Sequence, residues 1–206
     1  MKPNARFAKL ADDVSLEKTV AALEAHGMTA MVVENGHAAK QKVLELILEG
    51  AEVFTMSSET LAQIGLAAAV NESGKYDSVR KKLMAMDIKT QGAEMRKLGA
   101  APDYAVGSVQ AVTEDGHVFI ASNTGSQLGA YAYGAAHVIW VVGAQKVVKD
   151  DTEALWRIHE YVFPLEDERA QKAYGMHSGV NKILIINKEI MPKRATVILV
   201  KEKLGF

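Results

Sequence analysis

The 206-residue chain contains no cysteine. Disulfides, thiolate catalysis and any iron–sulfur cluster ligated by the chain itself are thereby excluded. An excess of either positive or negative residues is also missing. The 24 Lys and Arg residues nearly balance the 25 Asp and Glu, leaving a net charge of −1. No basic field is present to hold nucleic acid. No apolar run reaches the length of a membrane span. The opening residues Met1 to Arg6 lead into no apolar signal core, so a cytoplasmic protein is expected. Three familiar site motifs are absent as well. There is no Gly-x-Gly-x-x-Gly after the first strand, no Gly-x-x-x-x-Gly-Lys-Ser/Thr and no Gly-x-Ser-x-Gly. A Rossmann nucleotide site, a Walker-type ATPase and an elbow-type serine hydrolase are therefore unsupported. His26, His37, His117, His137 and His159 lie far apart without ligand spacing, so neither a metal nor a cofactor is expected.

What the chain does contain is a regular alternation. Apolar residues make up 49% of it. Val14 to His26 reads as an amphipathic helix, with Gly27 as its stop. Thr29 to Val33 is a short strand, His37 to Leu48 a second helix, and Glu52 to Met56 the next strand. Ser57 or Ser58 then caps a third helix. Strand and helix taking turns imply an α/β fold: a mainly parallel sheet with helices on both faces. Residues 71–100 are more polar and read as a helical insert within a single domain, 1–206. Glu114-Asp115-Gly116 between two apolar runs predicts a hairpin. A helix from about Asp151 to Val162 should be broken by Pro164 and followed by another to Tyr174. Ile183 to Ile186 and Thr196 to Val200 are late strands.

One unit stands out. An apolar run, Val118 to Ala121, enters a polar turn, Ser122-Asn123-Thr124-Gly125-Ser126-Gln127. A helix rich in small residues, 128–135, and a second apolar run, Val138 to Gly143, follow. Such a turn offers hydroxyls, backbone N–H groups and the positive end of a helix to one point, which suits a phosphate or carboxylate. The plainer reading is a capped helix, with Thr124 or Ser126 as the cap. Gln145, Lys146 and Lys149 follow the end of that second run, where open α/β sheets place their ligands. Lys146 could neutralise an acid or act as a base, or it could simply be a surface lysine. His177 sits in a polar loop between Gly175 and Gly179, beside Ser178, Asn181 and Lys182. It is the acid/base candidate of that loop, against the reading of an exposed histidine. The Gly/Ala-rich helix 128–135 can approach the sheet or a second copy of the chain closely, so a homodimer is compatible with it.

Several stretches carry a family resemblance. They are Asp103-Tyr104-Ala105-Val106-Gly107-Ser108, Ala111-Val112-Thr113-Glu114-Asp115-Gly116, Ala121 to Gln127, and Val141 to Val148. Val53 to Leu61, Lys182 to Asn187 and Val197 to Glu202 extend it over nearly the whole chain. The chain resembles the LUD family, the lactate-utilisation domain of LutC-type proteins. That resemblance implies a fold like that of the NagB/RpiA/CoA-transferase group, in which a strand or two runs in mixed direction. It also singles out Glu114, because CoA transferases of that group attack an acyl-CoA with a glutamate two positions before a glycine. A solvated hairpin turn is the simpler reading of the same residues. Two functions follow as expectations. One is binding of a small anionic metabolite (an organic acid, a sugar phosphate or an acyl-CoA) at Ser122 to Gln127 and Gln145, with Glu114, Lys146 or His177 supplying any chemistry. The other is an accessory subunit whose iron–sulfur oxidoreductase partners carry the redox centres for lactate.

Overall fold

Short β-branched runs close into a parallel sheet when the helices between them fold back over its faces. The computed structural model describes residues 2–206 and has this form. The strands are β1 (Thr29–Val33), β2 (Glu52–Thr55), β3 (Asp77–Ser78), β4 (Tyr104–Gly107), β5 (Ala111–Thr113), β6 (Val118–Ser122), β7 (His137–Gly143), β8 (Val147–Val148), β9 (Lys182–Ile186) and β10 (Ala195–Val200). The α-helices are α1 (Asp13–Ala25), α2 (Gly36–Leu46), α3 (Glu59–Gln63), α4 (Leu66–Asn71), α5 (Val79–Met84), α6 (Ile88–Ala100), α7 (Asp151–Arg157) and α8 (Phe163–Tyr174).

Six strands form one all-parallel sheet in the order β1-β10-β7-β4-β2-β3. Its centre is apolar on both faces: Val138 to Val142 of β7 and every residue of β10 are buried. That is the pattern of strands covered from both sides. One face packs against α2, α3 and α4 through Ala39, Val43, Leu61, Leu66 and Val70. The other packs against Leu16 and Leu23 of α1, Val79 of α5 and Tyr131. Helix starts follow their caps: Asp12, Asn35 and Ser58 accept from the backbone N–H groups of Ser15, Ala38 and Leu61.

The strands of mixed direction are segregated rather than added to the main sheet. They make a second sheet, β8-β5-β6-β9, which lies over the main one. The hairpin expected at Glu114-Asp115-Gly116 joins β5 to β6 in antiparallel register. Gly116 has φ +84° and a Cβ there would press on the Ala22 backbone, so glycine lets the turn seat on α1. Phe119, Val148, Ile158 and Tyr161 pack the far face of this sheet against the C-terminal helices.

Two expectations need correction. The stretch 71–100 contains β3, an edge strand of the main sheet, and α5 and α6 lead from it into β4. Pro164 does not break the helix. A wide π-helical turn, Ile158–Val162, connects α7 to α8, and the backbone stays helical throughout. The wider turn leaves Pro164 in the first turn of α8, where its missing N–H is not needed.

Arg194 fastens the layers together. Its buried guanidinium donates to the carbonyls of Ala135, Ala130 and Tyr131 at 3.0 Å each. It also pairs with Glu189 at 2.7 Å. Arg194→Met leaves those carbonyls and the Glu189 carboxylate without their donor. Breaking a buried pair in this way costs about 3–5 kcal/mol. Urea unfolding should show a matching fall in midpoint at constant m-value; a shift worth less than about 1 kcal/mol would show that Arg194 is not a fastener.

Candidate functional site

The site forms where the crossovers change direction. The chain leaves β2 towards the face that carries α3 and α4. It leaves β4, the neighbour of β2 in the sheet, towards the face that carries the second sheet. Adjacent loops departing to opposite faces open a crevice at the carboxyl ends of the strands, the usual ligand position in such sheets. A cavity of about 470 Å³ occupies that crevice. Ser57 to Thr60 line it after β2, Ser108 to Gln110 after β4, and Lys146 after β7. The opposite wall comes from Ser122, Asn123, Thr124, Ser126 and Gln127, and from Glu166, Arg169 and Tyr174 of α8.

Lys146 is 3% exposed. Its Nζ donates to Thr60 Oγ1 at 3.1 Å, Ser108 Oγ at 3.0 Å and the Val109 carbonyl at 3.1 Å. All three partners are neutral. Desolvation by burial holds the amine well below its usual value, and the nearby Arg157 guanidinium pushes in the same direction. Arg157 is itself fully buried. It donates from Nε to the Gln145 carbonyl at 3.1 Å and from Nη1 to the Gln110 carbonyl, while Nη2 has no partner. Burial lowers Arg157 to about 9. Arg80, on α5, donates to the Thr55 carbonyl at 2.8 Å and to Ser57 Oγ at 3.1 Å. Among the described residues, Lys146, Arg157 and Arg80 form no ion pair with a carboxylate. Arg169 differs, because it is bound to Glu166 at 2.7 Å and lies 3.7 Å from Glu59.

Tyr131 closes the inner end. It is buried, its hydroxyl has no hydrogen-bond partner, and desolvation raises its pKa. The hydroxyl lies directly over Gly107, where any Cβ would overlap it. Glycine at the end of β4 therefore makes room for the tyrosine.

The expected site residues fall into two groups. Lys146 and Ser122, Asn123, Thr124, Ser126 and Gln127 face one cavity. Gly125 has φ +87° and lies against the Lys182 side chain instead. The turn uses part of its own capacity internally. Ser122 Oγ accepts from the Gly125 N–H at 2.8 Å and donates to Gln127 Oε1 at 3.0 Å. Thr124 Oγ1 accepts from the Ser126 N–H at 3.3 Å. The helix that follows is a short π-helical segment, Ala130–Gly134. The turn thus faces the cavity mainly with side chains, and a converging row of amides is not what it offers.

Glu114, Gln145 and His177 lie elsewhere. Glu114 is on the hairpin turn, paired with Lys18 at 3.0 Å, and does not line the cavity. Gln145 is buried and structural: its Nε2 donates to the Leu204 carbonyl at 2.8 Å and its Oε1 accepts from the Leu204 N–H at 3.3 Å. His177 is exposed and contacts Asp167 at 3.0 Å, although the adjacent Ser178 and Gly179 do reach the cavity wall. His177 and the Ser178 N–H together lower the Asp167 carboxyl below its usual value. Lys149 lies on the opposite side, beside Glu114. Local pattern missed Thr60, Arg80, Ser108 and Tyr131, for which the only available signal was position after a strand or at a helix start.

The model for the LUD domain family matches residues 16–200 of the chain. No curated protein matches it. Among solved structures, it is similar to a DUF162 family protein from Deinococcus radiodurans. That likeness has 12% identity and a TM-score of 0.56, and covers 93% of this chain and 99% of that one. It is also similar to eIF2B beta from Chaetomium thermophilum, with 12% identity and a TM-score of 0.37, over 57% of this chain and 43% of that one. The first likeness supports the α/β architecture described above.

The buried amine makes stability depend on pH. Lys146 has a lowered pKa in the fold, so the folded protein loses that proton before the unfolded chain does. Stability then rises with pH from the folded value up to the unfolded one. That window closes near 10.5. Lys146→Met removes the group. On the approach to pH 10.5, the slope of unfolding free energy against pH should fall by up to about 1.4 kcal/mol per pH unit. Urea midpoints across this range for wild type and variant test this; parallel curves would contradict it.

Proposed function

The chain belongs to the LUD-domain family, and on that premise we propose that it binds a small anionic metabolite in the crevice between β2 and β4. Family membership supports a link to lactate utilisation. The ligand class rests on one observation: two guanidinium groups, Arg80 on the cavity and Arg157 behind Lys146, have no carboxylate partner among the described residues, whereas the cavity's carboxylates Glu59 and Glu166 are held by Arg169. An unpaired buried cation is costly, and an incoming anion offsets that cost. The hydroxyls and amides of Ser57, Ser122, Asn123, Thr124, Ser126 and Gln127 supply neutral donors around the same space. The cavity accommodates an organic acid, a sugar phosphate or the acyl end of a CoA ester. No helix among the described residues is long and apolar enough to cross a membrane. A cytoplasmic metabolite pool is the proposed source.

The planar guanidinium of Arg80 recognises the carboxylate or phosphate, and the neutral donors around it complete that end of the site. Ligand that binds only the folded protein raises its stability, by about 2.7 kcal/mol at a hundredfold excess over Kd. A thermal-shift panel of lactate, pyruvate, sugar phosphates and CoA esters should therefore contain a member that raises Tm. Arg80→Gln should weaken that member about tenfold or more, since a hydrogen bond to a charged group contributes about 1.5–3 kcal/mol. A flat panel, or an unchanged affinity in the variant, would count against the site.

A further inference from the structure

We propose that Ser108 and Lys146 form a serine–lysine pair that takes up the acyl group of a small anionic ester or thioester; this deepens the anion-binding reading and rests on it. The two side chains come from different strand ends and meet at 3.0 Å, Oγ to Nζ. Ser108 is half-buried and lines the cavity, while Lys146 is enclosed behind it. The other partners of the amine fix its orientation. The Val109 carbonyl can only accept. Thr60 gives its own hydroxyl proton to the Leu204 carbonyl at 3.2 Å, so towards Lys146 it accepts. Two N–H bonds of the amine are thereby committed. In the neutral form the direction that remains, the lone pair, points to the Ser108 hydroxyl. Burial beside Arg157, with no carboxylate to hold the charge, makes that neutral form accessible.

The step that follows is balanced. Ser108 Oγ adds to the carbonyl carbon of the ester or thioester as its proton passes to Lys146 Nζ. The tetrahedral intermediate expels the alcohol or thiol, which takes that proton from Lys146, and leaves acyl-Ser108. Water then adds to the acyl carbon, giving one proton to Lys146. Lys146 returns it to Ser108 Oγ as the carboxylic acid departs. The lysine is both base and acid, as histidine is in other acyl transfers. Arg80, on the same cavity, holds the anionic group of the substrate. An alcohol or thiol suits this pair as leaving group because it needs at most the one proton that Lys146 carries.

The chain is mixed with p-nitrophenyl acetate and, separately, with the mono-p-nitrophenyl ester of adipic acid, whose carboxylate is too distant to form a five- or six-membered anhydride. Nitrophenolate release and the intact and peptide masses are recorded. The expected result is a burst stoichiometric with protein and an acyl adduct on the peptide containing Ser108. The anionic ester should react faster, and Arg80→Gln should remove that preference. Ser108→Ala should abolish burst and adduct, and Lys146→Met should slow acylation about a hundredfold or more, with circular dichroism confirming that both variants fold. If Lys146→Met does not fold, Ser108→Ala, which removes a single oxygen, still decides the matter. An adduct on any other residue, Lys146 included, or a burst that survives in Ser108→Ala, overturns the proposal. Absence of any adduct also overturns it; anion-induced stabilisation retained by the same protein then shows that the binding reading stands without it, whereas loss of both removes both.

Discussion

One buried amine sets the geometry of the strand ends. From the end of β7, Lys146 reaches the start of α3 at Thr60 and the loop after β4 at Ser108 and Val109. Its neighbour Gln145 ties down Leu204, in the segment after β10. Two consecutive side chains thus join the loops that follow β2, β4 and β10. They do so where the loops after β2 and β4 leave the sheet towards opposite faces. A polar network placed so deeply must be fully satisfied, and this makes its arrangement specific. The Lys146 amine meets that condition with three oxygen partners. Arg157 meets it only in part, since Nη2 is left without one. The unmet hydrogen-bonding capacity of Arg157 lies behind Lys146, on the strand-end side of the cavity.

Much of the scaffold was legible because it depends on local rules. Alternating strands and helices predicted a parallel α/β sheet, and Asp115-Gly116 predicted the hairpin that Gly116 makes sterically possible. The 122–127 turn and Lys146 were picked out by their places after apolar runs, and both face the cavity. Thr60, Arg80 and Ser108 were not found. They converge only because β2 and β4 are neighbours whose outgoing loops diverge, and strand order is a long-range property with no local trace. Gln145 misled for a related reason. It has the look of a loop residue beside a site, but its partner at Leu204 is 59 positions away. Glu114 has the expected spacing from Gly116, yet the turn that carries it seats on α1, on the side away from the cavity.

The second sheet and the continuous C-terminal helix illustrate the same limit. Apolar period identifies a strand but not the sheet it joins, so Lys182–Ile186 could not be assigned to β6 rather than to the main sheet. Proline is a reliable helix breaker when the helix keeps its ordinary pitch. Here the turn at Ile158–Val162 widens, and Pro164 is accommodated. That helix brings Glu166, Arg169 and Tyr174 across the crevice, opposite the strand ends. The cavity is therefore lined by side chains spread along the chain from Phe54 to Phe206, and it becomes a site only on complete folding.

The last residues run through the same region. Leu204 is buried, Gly205 turns with φ +62° beside Thr60, and the Phe206 side chain lines the cavity. The crevice is thus walled in part by the segment that follows β10, so any change in that segment's path reshapes the space open to an occupant.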